Sequence, residues 1–224
     1  MTEKYRRFLH AVRAFMPRER VYTDYLRRLA WGADAGFYRL VPQIVVRAAG
    51  EDEVVRLMQE AARLGVPLTF RAAGTSLSGQ AVSDSVLVVA GKHWERCEVL
   101  DGGRAVRLQP GVVGARVNEV LKSYGYRFPP DPASIRSAMV GGIVMNNASG
   151  MNCGTHANSD RMLLSARLVL ADGTLLDTGD EASRRAFSES HAEFLRAIEA
   201  LRDRVRGDKA LTERILHKYS IKNV

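Results

Sequence analysis

Residues 71–80 read RAAGTSLSGQ and lie between two apolar stretches, VPLTF at 66–70 and SVLVVA at 85–90. The ten residues hold two glycines, three hydroxyl side chains and one arginine. A surface turn can be made with far fewer small residues. A Gly/Ser/Thr loop directly after a strand leaves its backbone N–H groups free to converge on an anion such as a pyrophosphate.

The flanks place this loop in a fold. QIVVRA at 43–48 reads as a strand, EDEVVRLMQEAARLG at 51–65 as an amphipathic helix closed by Gly65, and PLTFRA at 67–72 as a second strand. This is a βαβ unit with parallel strands, and SVLVVA adds a third. Upstream, Tyr5, Phe8, Leu9, Val12 and Phe15 recur at helical spacing until Pro17, and a short helix with Tyr25, Leu26, Leu29 and Ala30 follows Thr23. Downstream the style changes. ERCEVL, Asp101-Gly102-Gly103 and RAVRLQP form a hairpin signature in which Cys97 is a core strand residue. A helix over 113–124 follows, then a second hairpin about Asp172-Gly173 and a charged, helical stretch over 181–217.

Composition excludes several classes. The 224 residues are 46% hydrophobic and 26% charged, as in globular proteins. No apolar run approaches about 18 residues, and the N-terminus alternates charged and apolar positions, as a helix does and a signal peptide does not. The net charge of +8 comes from arginines spread over helices without interleaved aromatics, so no specific nucleic-acid partner is expected. A basic solvated face drawn to anionic ligands or lipid is the expectation instead. Cys97 and Cys153 allow at most one disulfide and no metal cluster, which fits a reducing, cytoplasmic setting.

A second unusual stretch spans residues 128–160, FPPDPASIRSAMVGGIVMNNASGMNCGTHANSD. It is rich in Pro, Gly and Asn yet carries Ile135, Met139, Val140, Ile143, Val144 and Met145, of which Met139 and Met145 are expected to pack inside. Gly141-Gly142 and Ala148-Ser149-Gly150 leave room for something that is not protein. Residues 74–80 lack the lysine of a nucleotide-triphosphate P-loop, and the G-x-G-x-x-G of a Rossmann site is missing. A larger dinucleotide held by two lobes fits better.

RAAGTSLSGQ, PPDPAS, GG with NASG, CGT and VLADGTLLDTGD, in this order, resemble the FAD-binding domain of the vanillyl-alcohol oxidase superfamily, the p-cresol methylhydroxylase (PCMH) type. Within it the chain looks like the D-lactate dehydrogenase and glycolate oxidase branch, as the N-terminal part of a large FAD and iron–sulfur oxidoreductase. The resemblance runs from about Asp24 to Asn223. It implies an α+β fold of two lobes, a small parallel βαβ sheet and a larger antiparallel sheet with flanking helices. The implied organisation is a helical lead-in at 1–36, the FAD-binding domain at 37–180 with lobes at about 37–90 and 95–180, and a helical segment at 181–224.

Carried over by position, Arg71, Ala72, Gly74, Thr75, Ser76, Leu77, Gly79 and Gln80 would cradle the FAD pyrophosphate. Pro130, Asp131, Ser134, Met139, Gly141 and Gly142 would border the flavin ring and ribityl chain, with Asn147, Ala148 and Gly150 closing toward the phosphates. Asn146 and Asn147 can equally serve as backbone caps. Cys153 and Gly154 occupy an aromatic-Gly position of the family, and Val169 its adenine end. Ile143 stands where relatives often have Asn, so it takes no polar role. Thr75 stands where some members tether the flavin through His, so FAD is expected to be non-covalent.

KYSIKNV at 218–224 resembles the lead into a substrate domain, which makes the chain look like a fragment. The missing part would supply the substrate cap, any metal and any iron–sulfur cluster; here no catalytic base and no metal site is named. The implied activity is oxidation of a 2-hydroxy acid, D-lactate first, to the 2-oxo acid with electrons passing to a downstream acceptor. Peripheral association with the inner face of a membrane and self-association of the fragment go with this reading. Its alternatives are a flavin-binding subunit that needs a separate substrate-binding chain, and a basic interaction module without a cofactor.

Overall fold

The runs Ile44-Val45-Val46 and Val86-Leu87-Val88-Val89 offer no polar face, so they have to be covered on both sides, the condition under which parallel strands form. In the computed structural model, which describes residues 1–150, 152–154 and 156–220, these runs are β2 (Ile44–Arg47) and β4 (Val86–Val89). With β1 (Val21–Tyr22) and β3 (Leu68–Arg71) they make a sheet of order β1-β2-β4-β3. β4 runs parallel to both neighbours, and β1 adds an antiparallel edge too short to announce itself in sequence. Arg47 and Arg71 both stand level with Val89, so the segments after all three parallel strands leave from one edge.

The crossover from β2 to β3 is α3 (Glu51–Leu64), with Glu51, Asp52 and Glu53 in the first turn, where the helix dipole favours them. Gly65 at φ 61° ends it in the left-handed conformation. Val54, Leu57 and Ala61 face the sheet, and α1 (Glu3–Arg13) adds Phe8 and Val12 to the same core. The opposite sheet face is covered in part by Tyr22 and Trp31, which pack on Val45, Leu87 and Val89. The short helix expected after Thr23 is α2 (Tyr25–Ala30), capped by Asp24, whose side chain accepts from the Arg27 amide. The first 36 residues are thus part of the first compact unit.

A second core lies around β5 (Cys97–Leu100) and β6 (Ala105–Leu108), α4 (Gly114–Leu121) and α5 (Val140–Met145). Val112, Val117, Leu121, Phe128, Val140 and Ile143 are buried there, with Cys97 packed against them. The start of α5 is sewn to the segment before α4: Gly141 N–H donates to Pro110 O at 2.9 Å, Val140 N–H to Val112 O at 2.8 Å, and Gly114 N–H to Ala138 O at 2.9 Å. Asn147 caps the next short helix, α6 (Ser159–Met162), by accepting from the Asp160 amide.

Strands β7 (Arg167–Val169) and β8 (Leu175–Asp177) form the second expected hairpin. Among the described residues β5 with β6 and β7 with β8 make two separate two-stranded ladders, not one wider sheet. Hairpin turns are encoded locally, whereas joining two ladders needs an edge-to-edge pairing that turn residues do not specify.

The first unit comprises Met1–Leu163 and Val169–Leu175, and the second comprises Leu164–Leu168 and Leu176–Val224. The second holds α7 (Glu181–Ser190), α8 (Ala192–Gly207) and α9 (Lys209–Lys218), with Asp180 and Asp208 capping α7 and α9 through their carboxylates. The last four residues of KYSIKNV lie outside the described residues. No helix among the described residues is long and apolar enough to cross a membrane.

One ion pair ties the lead-in to α3. Arg20 reaches the Glu53 carboxylate with both terminal nitrogens, at 2.7 and 2.6 Å, and that carboxylate also accepts from the Ala49 amide at 2.8 Å. Burial pushes the Glu53 carboxyl up, but the hydrogen bonds from Arg20 and Ala49 and the charges of Arg20 and His93 outweigh it and hold the group below the usual carboxylate range. Stability from a depressed carboxyl is present above its ordinary value and disappears as pH falls through the folded-state value. Glu53→Gln should therefore lower stability by about 2 kcal/mol at neutral pH, with the difference from the parent shrinking below about pH 4.5, as denaturant melts across pH 3–7 will measure.

Candidate functional site

Arg71 ends β3, and its side chain turns back beneath the loop that follows. Its guanidinium donates to Ala33 O at 2.7 Å and more distantly, at 3.4 Å, to the carbonyls of Trp31 and Ala81, and lies over the Trp31 ring. Its Nε is buried without an acceptor among the described residues. Burial lowers its basicity, opposed by the charge of Asp34. Gly74 passes so close over this group, at φ 74°, that a Cβ would sit 2.4 Å from the guanidinium carbon.

The loop turns two of its carbonyls, those of Gly74 and Ser76, toward the protein. Ala35 N–H donates to both Gly74 O and Ser76 O at 3.1 Å. The Asp34 carboxylate accepts from Gly79 N–H, and Ser76 Oγ from Ser78 N–H. None of the amides of residues 72–77 has an acceptor among the described residues. Six consecutive N–H groups without partners among the described residues, above a half-buried cation, form a concavity suited to an anion.

The facing wall comes from the second unusual stretch. A cleft of about 250 Å³ is lined on one side by Arg71, Ala72, Gly74, Thr75, Ser76 and Gln80, and on the other by Ser134, Met139, Gly142 and Ala148. Gln80 Nε2 donates across it to Asn146 Oδ1 at 3.2 Å, joining loop to helix end, and Ser76 Oγ donates to Gln80 Oε1. Among the described residues Arg71 is the one charged residue lining the cleft, and its Nη1 is directed at carbonyls of the protein.

The other expected contacts fall elsewhere. The Leu77 side chain is exposed on the loop, and Gly79 packs against the Tyr38 ring. Pro130 is fully buried, and Asp131 pairs with Arg127 while accepting from Asn152. Gly141 approaches Pro110 and Gly150 approaches Asp131 so closely that a Cβ would collide, at 2.6 and 1.6 Å. Their smallness serves protein packing, whereas Gly142 faces open space. Asn147 is a helix cap, as already described. Cys153 is buried in its own turn, its Sγ accepting from Gly150 N–H and donating to Gly150 O. Gly154 sits beside His156, and Val169 packs on the core of the parallel sheet. Thr155 of the CGT motif lies outside the described residues.

Sequence reasoning missed Phe70, Ala73, Ala81, Pro132, Ala138 and Ile143 in the cleft lining. Met145, expected inside, is 83% exposed at the cleft, because α5 turns its last residue away from the core beneath Ile143. The brace of residues 31–36 was missed too, although Asp34-Ala35-Gly36 carries a readable signal: an Asp whose carboxylate accepts from the amide two residues on, at 2.8 Å.

A family model described as an FAD binding domain matches residues 42–179, which contain both walls of the cleft. The chain belongs to this family of FAD-binding domains. It is 32% identical over 160 residues to D-2-hydroxyglutarate dehydrogenase of Pantoea ananatis, covering 70% of this chain and 16% of that protein. It is 32% identical to glycolate oxidase subunit GlcD of Escherichia coli K12, covering 65% and 30%, and 28% identical to D-lactate dehydrogenase of Archaeoglobus fulgidus, covering 64% and 32%. The chain thus spans from about a sixth to a third of the length of these relatives. In structure it resembles alkyldihydroxyacetonephosphate synthase, with a TM-score of 0.67, 20% identity and coverage of 79% of this chain and 36% of that one. Substrate-bound p-cresol methylhydroxylase gives 0.66 at 14% identity, covering 80% and 36%. The fold is that of the p-cresol methylhydroxylase type.

The residues present fit FAD: free amides with a cation behind them suit its diphosphate, and the small residues of both walls leave room beside them. Gly142→Ala will test the wall facing the loop. Its Cβ meets no protein atom, so the fold should hold or gain up to about 1 kcal/mol from helix propensity, while FAD affinity measured by fluorescence titration falls. Gly74→Val should lose both, with about 1–3 kcal/mol of strain at its positive φ. The burial of Cys153 away from the cleft lining, and Thr75 in the loop, lead to a third expectation. Acid precipitation of the flavin-loaded protein should leave the yellow colour in the supernatant.

Proposed function

We propose that this chain is the FAD-binding part of a flavoprotein that oxidises a 2-hydroxy acid to the 2-oxo acid, with D-lactate as substrate. The observation that carries the reading is the row of unpartnered amides over Arg71 facing a glycine-bearing wall, in a chain of this family. Names of relatives support the reaction class: D-lactate dehydrogenase, glycolate oxidase and D-2-hydroxyglutarate dehydrogenase. D-2-hydroxyglutarate is the second reading, favoured because that name belongs to relatives at 31–32% identity.

Bound in the cleft, FAD would supply a two-electron acceptor for the hydride on the α-carbon. The chain's own residues bind and orient it. Residues 72–77 would hold the diphosphate with their amides, and Arg71 would offset its charge from behind. Ser134, Met139, Gly142 and Ala148 would border the ring and its ribityl chain, and Gln80 with Asn146 keeps the walls in register. Among the described residues the cleft holds no second cation to meet a substrate carboxylate and no acid or base side chain to move the hydroxyl proton. The 224-residue chain alone is therefore expected to bind FAD and to turn over no hydroxy acid.

Chromatography of flavin released from the purified protein should give FAD; FMN as the main species would remove the proposal. The whole natural protein, assayed with an artificial electron acceptor, should oxidise D-lactate in preference to D-2-hydroxyglutarate and glycolate. A preference for D-2-hydroxyglutarate would select the second reading.

A further inference from the structure

We infer that Asp34 and Ala35, which lie outside the cleft, are positioning residues that set the direction of the diphosphate-binding amides; this rests on the FAD reading above. The Ala35 N–H is shared between the carbonyls of Gly74 and Ser76, at 3.1 Å each. A peptide unit is planar and its N–H points opposite to its C=O. Holding those two carbonyls toward Ala35 therefore turns the amides of Thr75 and Leu77 the other way. The loop cannot rotate those peptides without breaking both bonds.

Asp34 fixes Ala35 in place and anchors the far end of the loop. Its Oδ1 accepts from Gly36 N–H at 2.8 Å and its Oδ2 from Gly79 N–H at 3.0 Å, so one carboxylate bridges two segments 45 residues apart. Gly36 is as close as backbone allows: a Cβ there would lie 2.7 Å from Leu77 O. A carboxylate beside an anion site is electrostatically unfavourable for the anion. Its presence is accounted for by geometry: a carboxylate accepts two N–H groups at once, whereas an asparagine would turn its NH2 toward one of them.

The test measures FAD and riboflavin binding to Asp34→Ala and Asp34→Asn, together with hydrogen exchange of peptides covering residues 72–79 and melting of the flavin-free proteins. In the parent, FAD should slow exchange over 72–77; if it does not, the site reading itself fails, whatever the variants do. With that protection present, Asp34→Ala should weaken FAD about tenfold or more, change riboflavin binding little because riboflavin lacks the diphosphate, and lose most of the FAD-dependent protection. Its flavin-free melting point should move by only a few degrees. Asp34→Asn should weaken FAD as well. Unchanged FAD affinity in Asp34→Ala, tighter FAD binding in Asp34→Asn, or equal losses for FAD and riboflavin with a collapsed melting point would each overturn the inference.

Discussion

The guanidinium of Arg71 is the constraint on which the site depends. It ends a strand whose register with β4 is set by apolar packing, so its position is not negotiable. From there it gathers the carbonyls of Trp31 and Ala33, from a segment about 40 residues earlier, and of Ala81, ten residues later, under one loop. No carboxylate hydrogen-bonds to it, and its Nε has no acceptor among the described residues. A charge held this way costs free energy in the protein without its anion. The loop above it, whose amides at 72–77 have no acceptor among the described residues, is where an anion would offset that cost.

The second wall is placed by different means. Pro110 and Val112 accept from the first residues of α5, and Gly141 lets the helix come into contact with Pro110. Gly142, the next residue, faces the cleft. Two adjacent glycines thus do opposite jobs, one admitting protein and one leaving space. Gly150 belongs with the first kind, since the Asp131 backbone fills the room a side chain would need. The Gln80–Asn146 bond then links two lobes whose cores are otherwise separate clusters.

Much was legible in the sequence because its causes are local. Alternation, helical spacing and turn residues identify the parallel strands, α3 with its Gly65 stop, and both hairpins. The loop at 71–80 stands out because small residues are concentrated where a strand ends, and the stretch at 128–160 because it mixes apolar residues with glycine. What stayed hidden depends on partners distant in the chain. Asp131 and Cys153 look polar or reactive in isolation, yet each has partners in the fold, Arg127 with Asn152 and the turn at Gly150, while Asn147 takes the capping role that its type left open. Met145 looks like core by its type, but the helix it ends turns it outward.

The sequence by itself determined the parallel sheet, the presence of a loop of small residues after β3 and the kinship with FAD-binding domains, since these follow from periodicity, turn chemistry and ordered motifs read along the chain. Only the tertiary structure decided which glycines face open space and which face protein, and that residues 31–36 brace the loop from outside. The physical reason is that a glycine, an amide or a carboxylate has no fixed role of its own. Its role is set by whatever lies within about 3 Å of it in the fold, and no spacing along the chain records that distance.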